Sequence, residues 1–124
     1  MGVVLNHTIV TAGDKDASAR FLAGLLGLAV LPPAGPFAPV RVNAELTLDF
    51  DDRGPVRPGH YAFLVDDATF DAALARLRAD PAATYGSGPE HGWDRDINHL
   101  GGGRGVYVRD PDGHSYEVFT AVPA

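Results

Sequence analysis

Two histidines and one glutamate, far apart along the chain, have the residue types of a divalent-metal site. His7 and His60 lie in stretches that read as strands, "VVLNHTIVTA" (3–12) and "GHYAFLVD" (59–66), and Glu117 lies among apolar residues in "HSYEVFTA". Two imidazoles and a carboxylate can hold Fe(II), Mn(II), Zn(II), Co(II) or Ni(II) and leave coordination positions open. A bound cation would also explain the carboxylate, because an unpaired charge in a half-buried strand is costly.

The composition narrows the choice of partners. A chain of 124 residues with 45% hydrophobic content suits one domain, 1–124. It has no cysteine, so any metal must be held by His, Asp or Glu. A net charge of -6 with scattered basic residues argues against nucleic acid, and no stretch approaches the roughly 18 apolar residues of a membrane span. With no signal-peptide pattern at its start, the chain is expected to be cytoplasmic and to bind a small molecule.

The pattern of predicted elements occurs twice. Helical spacing of apolar residues predicts helices over 13–28 and 67–80, and each follows a strand that carries a histidine. Each half reads β-α-β-β-β, with module one at about 1–51 and module two at about 59–124. Matching "AELTL" to "YEVFT" at the ends of the halves pairs Glu45 with Glu117.

The strand period of two assigns these side chains to faces. Glu117 shares a face with Ser115 and Phe119, and His60 shares one with Ala62 and Leu64. The bulkier apolar residues of the alternate face are expected to meet the helix. The His and Glu residues then point into a cleft. The candidate substrate-binding residues are Ile9, Thr47, Trp93, Arg109 and Phe119.

The long loop 89–103 and the strand after it supply the candidate catalytic residues. Proton transfer needs a base near the substrate, and His99 and Tyr107 are the candidates, with Glu45 of the first half as a third. The loop also carries Trp93 and three consecutive glycines, which favours a mobile lid over an ordinary connection. Trp93 could line the pocket or only pin its loop. His114, in the "DPDGH" turn, is expected to have a structural hydrogen bond.

Four segments together resemble one known family. "LNHTIV", "ASARFLAGLLGL", "GHYAFLV" and above all "VYVRDPDGHSYEVFT" resemble the vicinal oxygen chelate superfamily, which includes glyoxalase I, extradiol dioxygenases, fosfomycin-thiol transferases and bleomycin-resistance proteins. The resemblance implies an α+β fold of two βαβββ modules that form a cupped, partly open mixed-sheet barrel with the helices outside. It also implies one divalent metal ion per site, at His7, His60 and Glu117, and a homodimer with its sites at the module interface.

The function implied by this resemblance is that of a metal-dependent enzyme. Such an enzyme chelates a small substrate through two adjacent oxygens and performs isomerase, lyase or dioxygenase-type chemistry. The alternative is a metal-free protein that sequesters a drug or metabolite, as bleomycin-resistance members do. Glyoxalase I members use a fourth ligand at the position matching Glu45, which could instead be a solvated residue at the start of its strand.

Overall fold

The computed structural model describes residues 2–123, which form two α-helices and eight strands. The chain divides into two compact units, 1–58 and 59–124. Each unit has the element order β-α-β-β-β and an open four-stranded mixed sheet. The predicted α+β class with two βαβββ modules is therefore confirmed.

The first unit contains one helix and four strands. They are β1 (His7–Thr11), α1 (Lys15–Leu26), β2 (Ala29–Val30), β3 (Ala38–Arg41) and β4 (Thr47–Asp51). The strand order is β1-β4-β3-β2, with β1 parallel to β4 and the other pairs antiparallel. Val10, Leu48 and Phe50 are buried. They alternate with the residues that share the face of His7, as the strand period predicts.

Helix α1 lies within the predicted range 13–28 and is capped at both ends. The Asp14 carboxylate accepts hydrogen bonds from the backbone N–H groups of Asp16 and Ala17, which satisfies two donors of the first turn. Gly27 ends the helix in the left-handed conformation, at a φ of 68° that favours glycine. Asp14 is thus the N-cap of the helix.

The second unit carries His60 and Glu117. Its elements are β5 (His60–Leu64), α2 (Asp67–Ala79), β6 (Thr84–Gly86), β7 (Gly105–Arg109) and β8 (Ser115–Phe119), with two short 3-10 turns, Pro89–His91 and Leu100–Gly102, between β6 and β7. The strand order is β5-β8-β7-β6, with β5 parallel to β8. The largest core side chains are Tyr85, Tyr116 and Phe70. Neither helix of the described chain is long and apolar enough to cross a membrane.

The strand register corrects the predicted pairing of Glu45 with Glu117. In the second unit Glu117 is opposite Ala62, two residues after His60, and in the first unit Asp49 is opposite Ile9, two residues after His7. Asp49 is therefore the counterpart of Glu117, and the pairing with Glu45 was wrong. Glu45 is exposed in the turn before β4. The sequence match failed because it compared similar letters and could not see where the strands begin.

The turn before β8 fixes the start of β5. An Asp110 carboxylate oxygen accepts the backbone N–H groups of Asp112 and His114, at 3.0 and 2.8 Å, which closes the "DPDG" turn. His114 is fully buried, and its Nδ1 accepts the backbone N–H of Gly59 at 2.9 Å. Since Gly59 directly precedes His60, this bond holds the strand that presents His60. His114 thus has the structural role that its place in the turn predicted.

Replacing His114 by alanine is expected to destabilise the protein by about 3 kcal/mol, because it leaves the Gly59 N–H without its acceptor and opens a cavity. Urea unfolding measures the free energy. His91→Ala is the matched control, since His91 is exposed in a loop, and its effect should stay within about 0.5 kcal/mol. Equal stabilities of the two variants would contradict this role of His114.

Candidate active site

His60 and Glu117 come together on one face of the second sheet. The Nε2 atom of His60 lies 3.1 Å from Oε1 of Glu117. Glu117 is only 7% exposed, whereas the His60 side chain is about half exposed. A buried carboxylate thus contacts an imidazole that solvent can reach. The structure thus brings together two of the three residues that the sequence analysis assigned to a metal.

The geometry of this pair fits two ligands of one divalent ion. Ligand nitrogen and oxygen atoms that each lie about 2.1 Å from a Zn²⁺-sized ion are about 3.0 Å apart at octahedral angles and about 3.4 Å apart at tetrahedral angles. The observed separation of Nε2 and Oε1, 3.1 Å, lies between these values. An imidazole and a carboxylate also match the ligand preferences of Fe(II), Mn(II), Zn(II), Co(II) and Ni(II). The residues present therefore fit a divalent metal.

Tyr107 lies beside the pair, on the inner strand β7. It is opposite Glu117 in the register, and its ring stacks on that of His60 with centroids 6.1 Å apart. Burial, followed by the charge of Glu117 and a hydrogen bond to it, raises the pKa of Tyr107 above its ordinary value. The phenol thus stays protonated at neutral pH in the metal-free protein. Tyr107 is suited to donate a hydrogen bond or a proton, not to act as a base.

Ser115 is a further contact of His60. The strand period predicted that it shares a face with Glu117 but suggested no role for it. Its Oγ lies 3.4 Å from Nδ1 of His60, on the opposite side of the ring from Glu117. Ser115 is also opposite His60 in the register of β5 and β8. The hydroxyl can accept a hydrogen bond from Nδ1–H, which helps to orient the ring.

A cavity of about 280 Å³ adjoins Tyr107 and Ser115. Its other walls are Gly88, Pro89, Gly92 and Trp93. A second cavity of about 550 Å³ shares Tyr107 and also carries Glu90 and His91. Trp93 is therefore a wall of a cavity that also reaches Tyr107, whereas its predicted contact with a substrate stays a prediction.

Several bonds fix the loop that carries Trp93. The Asp94 carboxylate accepts the Ser87 N–H at 2.8 Å and the Ser87 hydroxyl at 2.6 Å, and these bonds lower the pKa of Asp94. The Arg95 guanidinium donates to the Ala83 carbonyl at 2.9 Å and lies over the Tyr85 ring. No sequence signal predicted these anchors. They favour a fixed cavity wall, and the mobile lid stays a prediction.

The other predicted residues of this unit lie in different surroundings. His99 is exposed at the start of a 3-10 turn, with its Nδ1 3.1 Å from the Gly103 carbonyl oxygen, and it is not among the residues that line either cavity. Arg109 is exposed and opposite Ser115, on the face of Tyr107. Phe119 shares that face and is 9% exposed. The catalytic role of His99 and the substrate contacts of Arg109 and Phe119 stay predictions.

The first unit supplies the remaining predicted residues. His7 is the first residue of β1 and is exposed, and Thr47 is directly opposite it on β4. Ile9 shares this face and is 48% exposed. The three residues thus lie on one face of the first sheet. That His7 binds the same ion as His60 and Glu117 stays a prediction.

Asp110, Asp112 and His114 form a second group with metal-binding residue types. One ligand atom from each lies within 4.8 Å of the others. However, Asp110 accepts two backbone N–H groups, and Nδ1 of His114 accepts that of Gly59. Because these atoms already close the turn and anchor β5, the group has a structural explanation that requires no ion.

Comparison with solved structures finds close relatives over the whole chain. Oxidase ChaP-H2 is 50% identical, with a TM-score of 0.90 over 100% of this chain and 98% of that chain. Oxidase ChaP-H1 is 52% identical, with a TM-score of 0.88 over 98% of both chains. A glyoxalase/dioxygenase from Nostoc punctiforme is 26% identical, with a TM-score of 0.68 over 97% of this chain and 91% of that chain. No protein-family model and no curated protein matches the chain.

Gly86→Ala is expected to displace the loop that carries Trp93. A Cβ at Gly86 would lie 2.5 Å from the Gly92 carbonyl oxygen and 2.9 Å from two atoms of Asp94, so backbone must shift. We expect the free energy of unfolding to fall by about 2 kcal/mol. The emission of Trp93 should change as well, and Trp93 is the chain's only tryptophan.

Gly24→Ala is the matched control for this substitution. Gly24 is exposed in α1, and a Cβ there meets no atom within 4 Å. Its replacement should leave tryptophan emission unchanged and raise the stability by up to about 1 kcal/mol. If Gly86→Ala behaved in the same way, the close packing of this loop on β6 would be refuted.

Proposed function

The chain belongs to the vicinal oxygen chelate superfamily, and on that premise we propose that it is a metal-dependent enzyme that oxidises a small substrate bound through two adjacent oxygens. The observation that carries the proposal is the pair of His60 and Glu117. A carboxylate that is 7% exposed, with an imidazole nitrogen 3.1 Å away, is a donor set that a divalent ion fits.

The names of three relatives support an oxidative reaction. The structures at 50% and 52% identity are both named oxidases, and the relative at 26% identity is named a glyoxalase/dioxygenase. When bound, a divalent ion would supply Lewis-acid and, in the case of iron, redox chemistry. Lyase or isomerase chemistry would need the same donor set but has less support from these relatives.

Each residue of the site has a separate task in this proposal. His60, Glu117 and His7 would hold the ion. Tyr107 would donate a hydrogen bond or a proton to a substrate oxygen, because its raised pKa keeps the phenol protonated. Trp93 would cover one side of the cavity and reduce the access of water, which strengthens every electrostatic contact there.

The proposal also assigns a role to two exposed apolar residues. Ile9 and Leu64 are 48% and 61% exposed on the faces of His7 and His60, and they would contact an apolar part of a substrate.

A homodimer with its sites at the module interface, in the cytoplasm, is the assembly that we propose from the superfamily resemblance. A metal-free binding protein is the alternative, and the following test separates it from the enzyme.

Protein that has been depleted of metal and reloaded with Co(II) is expected to retain about one equivalent per chain by elemental analysis, whereas His60→Ala and Glu117→Gln should retain less than about a tenth. Nitrocatechol, a chromophoric vicinal diol, should change the visible absorption of the loaded wild type in a saturable manner. The change should be lost in His60→Ala, because the diol is held through the ion.

Asp112→Asn is the control, because it removes a carboxylate from the turn and leaves His60 and Glu117 intact. It should retain the metal. Loss of Co(II) in Asp112→Asn with full retention in His60→Ala would move the site to the turn and refute the proposal. If the wild type retained no Co(II), and if the wild type and His60→Ala bound nitrocatechol with equal affinity, the protein would be a metal-free binder and not the proposed enzyme.

A further inference from the structure

The side chain of Asn6 links His7 to the turn before β4. Its Nδ2 donates to the Glu45 backbone carbonyl at 3.3 Å, and its Oδ1 lies 3.0 Å from Nδ1 of His7. The Asn6 backbone carbonyl also accepts the N–H of Thr47 at 2.9 Å. Asn6 is therefore tied to β4 by its backbone and to the turn by its amide.

The turn that Asn6 contacts is itself closed by hydrogen bonds. The Asn43 Oδ1 accepts the backbone N–H groups of Glu45 and Leu46, both at 2.9 Å. The Val42 N–H donates to the Leu46 carbonyl, also at 2.9 Å. The direction of the Glu45 carbonyl is thus set by bonds that do not involve Asn6.

This arrangement determines the orientation of the Asn6 amide. A backbone carbonyl only accepts hydrogen bonds, so the amide must turn its NH₂ group toward Glu45 and its oxygen toward His7. That oxygen can only accept, so the proton of a neutral His7 ring lies on Nδ1. The lone pair of the ring is then on Nε2, which the Asn6 amide does not contact.

We infer that Asn6 is a positioning residue that holds His7 in the Nδ1–H tautomer and so presents Nε2 for a divalent metal. The metal half of this inference rests on the proposed function, whereas the tautomer half does not. Glu45 takes part in this arrangement through its backbone carbonyl, which accepts the hydrogen bond from Asn6.

The second unit orients its histidine in a different way. Gly59 stands directly before His60, as Asn6 stands before His7, and its carbonyl accepts the N–H of Ser115 just as that of Asn6 accepts the N–H of Thr47. Glycine has no side chain to reach the ring, and Ser115 lies near Nδ1 of His60 in its place, at 3.4 Å. The contact from Asn6 to His7 is the shorter of the two, so the first unit is the better one in which to test how a neighbouring side chain orients the histidine ring.

Asn6→Ala and Asn6→Asp are the variants that test the inference. Alanine removes the acceptor, whereas aspartate keeps an oxygen near Nδ1 of His7. Imidazole nitrogen chemical shifts of the metal-free protein, at a pH of about 8.5 where histidine is neutral, report the tautomer. A His7→Gln spectrum assigns the signals. We expect Nδ1–H in the wild type and in Asn6→Asp, and a shift toward Nε2–H in Asn6→Ala.

Calorimetric titration with Co(II) measures the second half. Loss of a group that orients a metal-bound histidine typically weakens affinity by 10-fold or more, so Asn6→Ala should raise the Kd for Co(II) about 10-fold, and Asn6→Asp should restore it. A wild-type His7 with its proton on Nε2, or an unchanged tautomer in Asn6→Ala, would overturn the inference. An unchanged Kd in Asn6→Ala, beside a large loss in His7→Ala, would overturn it as well. Failure of the proposed function looks different, because the wild type itself would then bind no Co(II).

Discussion

The contact between the Glu117 carboxylate and the His60 imidazole is the interaction on which the site depends. A carboxylate that is 7% exposed, on a strand between two others, loses most of its hydration, and such a group is costly unless it is paired. His60 and Tyr107 supply that pairing in the metal-free protein. A divalent ion would supply it more strongly. The loss of hydration that makes an unpaired carboxylate energetically unfavourable here also favours the binding of a cation beside it.

The rest of the second unit holds these side chains in place. The buried His114 anchors Gly59, and Gly59 leads directly into His60. Strand β7, next to β8 in the sheet, brings Tyr107 opposite Glu117. In the first unit, the tie from Asn6 to the turn has a comparable effect on His7. Each histidine begins its strand, so its position depends on the residue before it and on the turn that this residue contacts.

The sequence predicted which residues share a face, because strand alternation is local and does not depend on the rest of the fold. Glu117 shares its face with Ser115 and Phe119 as that alternation predicts, whereas the pairing of Tyr107 with Glu117 follows from the strand register. The pairing of Glu45 with Glu117 failed, because strand register depends on turn lengths and on hydrogen bonds such as those of Asn43, which similarity of letters does not reveal. The anchors of the loop that carries Trp93 were equally invisible, since they join residues of different elements.

Anomalous diffraction from crystals of the protein loaded with Co(II) would locate the ion itself. The proposed metal site requires one strong peak at the cobalt edge, within about 2.2 Å of Nε2 of His60 and of a Glu117 carboxylate oxygen. A peak at Asp110 and Asp112 instead, or crystals with no cobalt peak near Glu117, would contradict it.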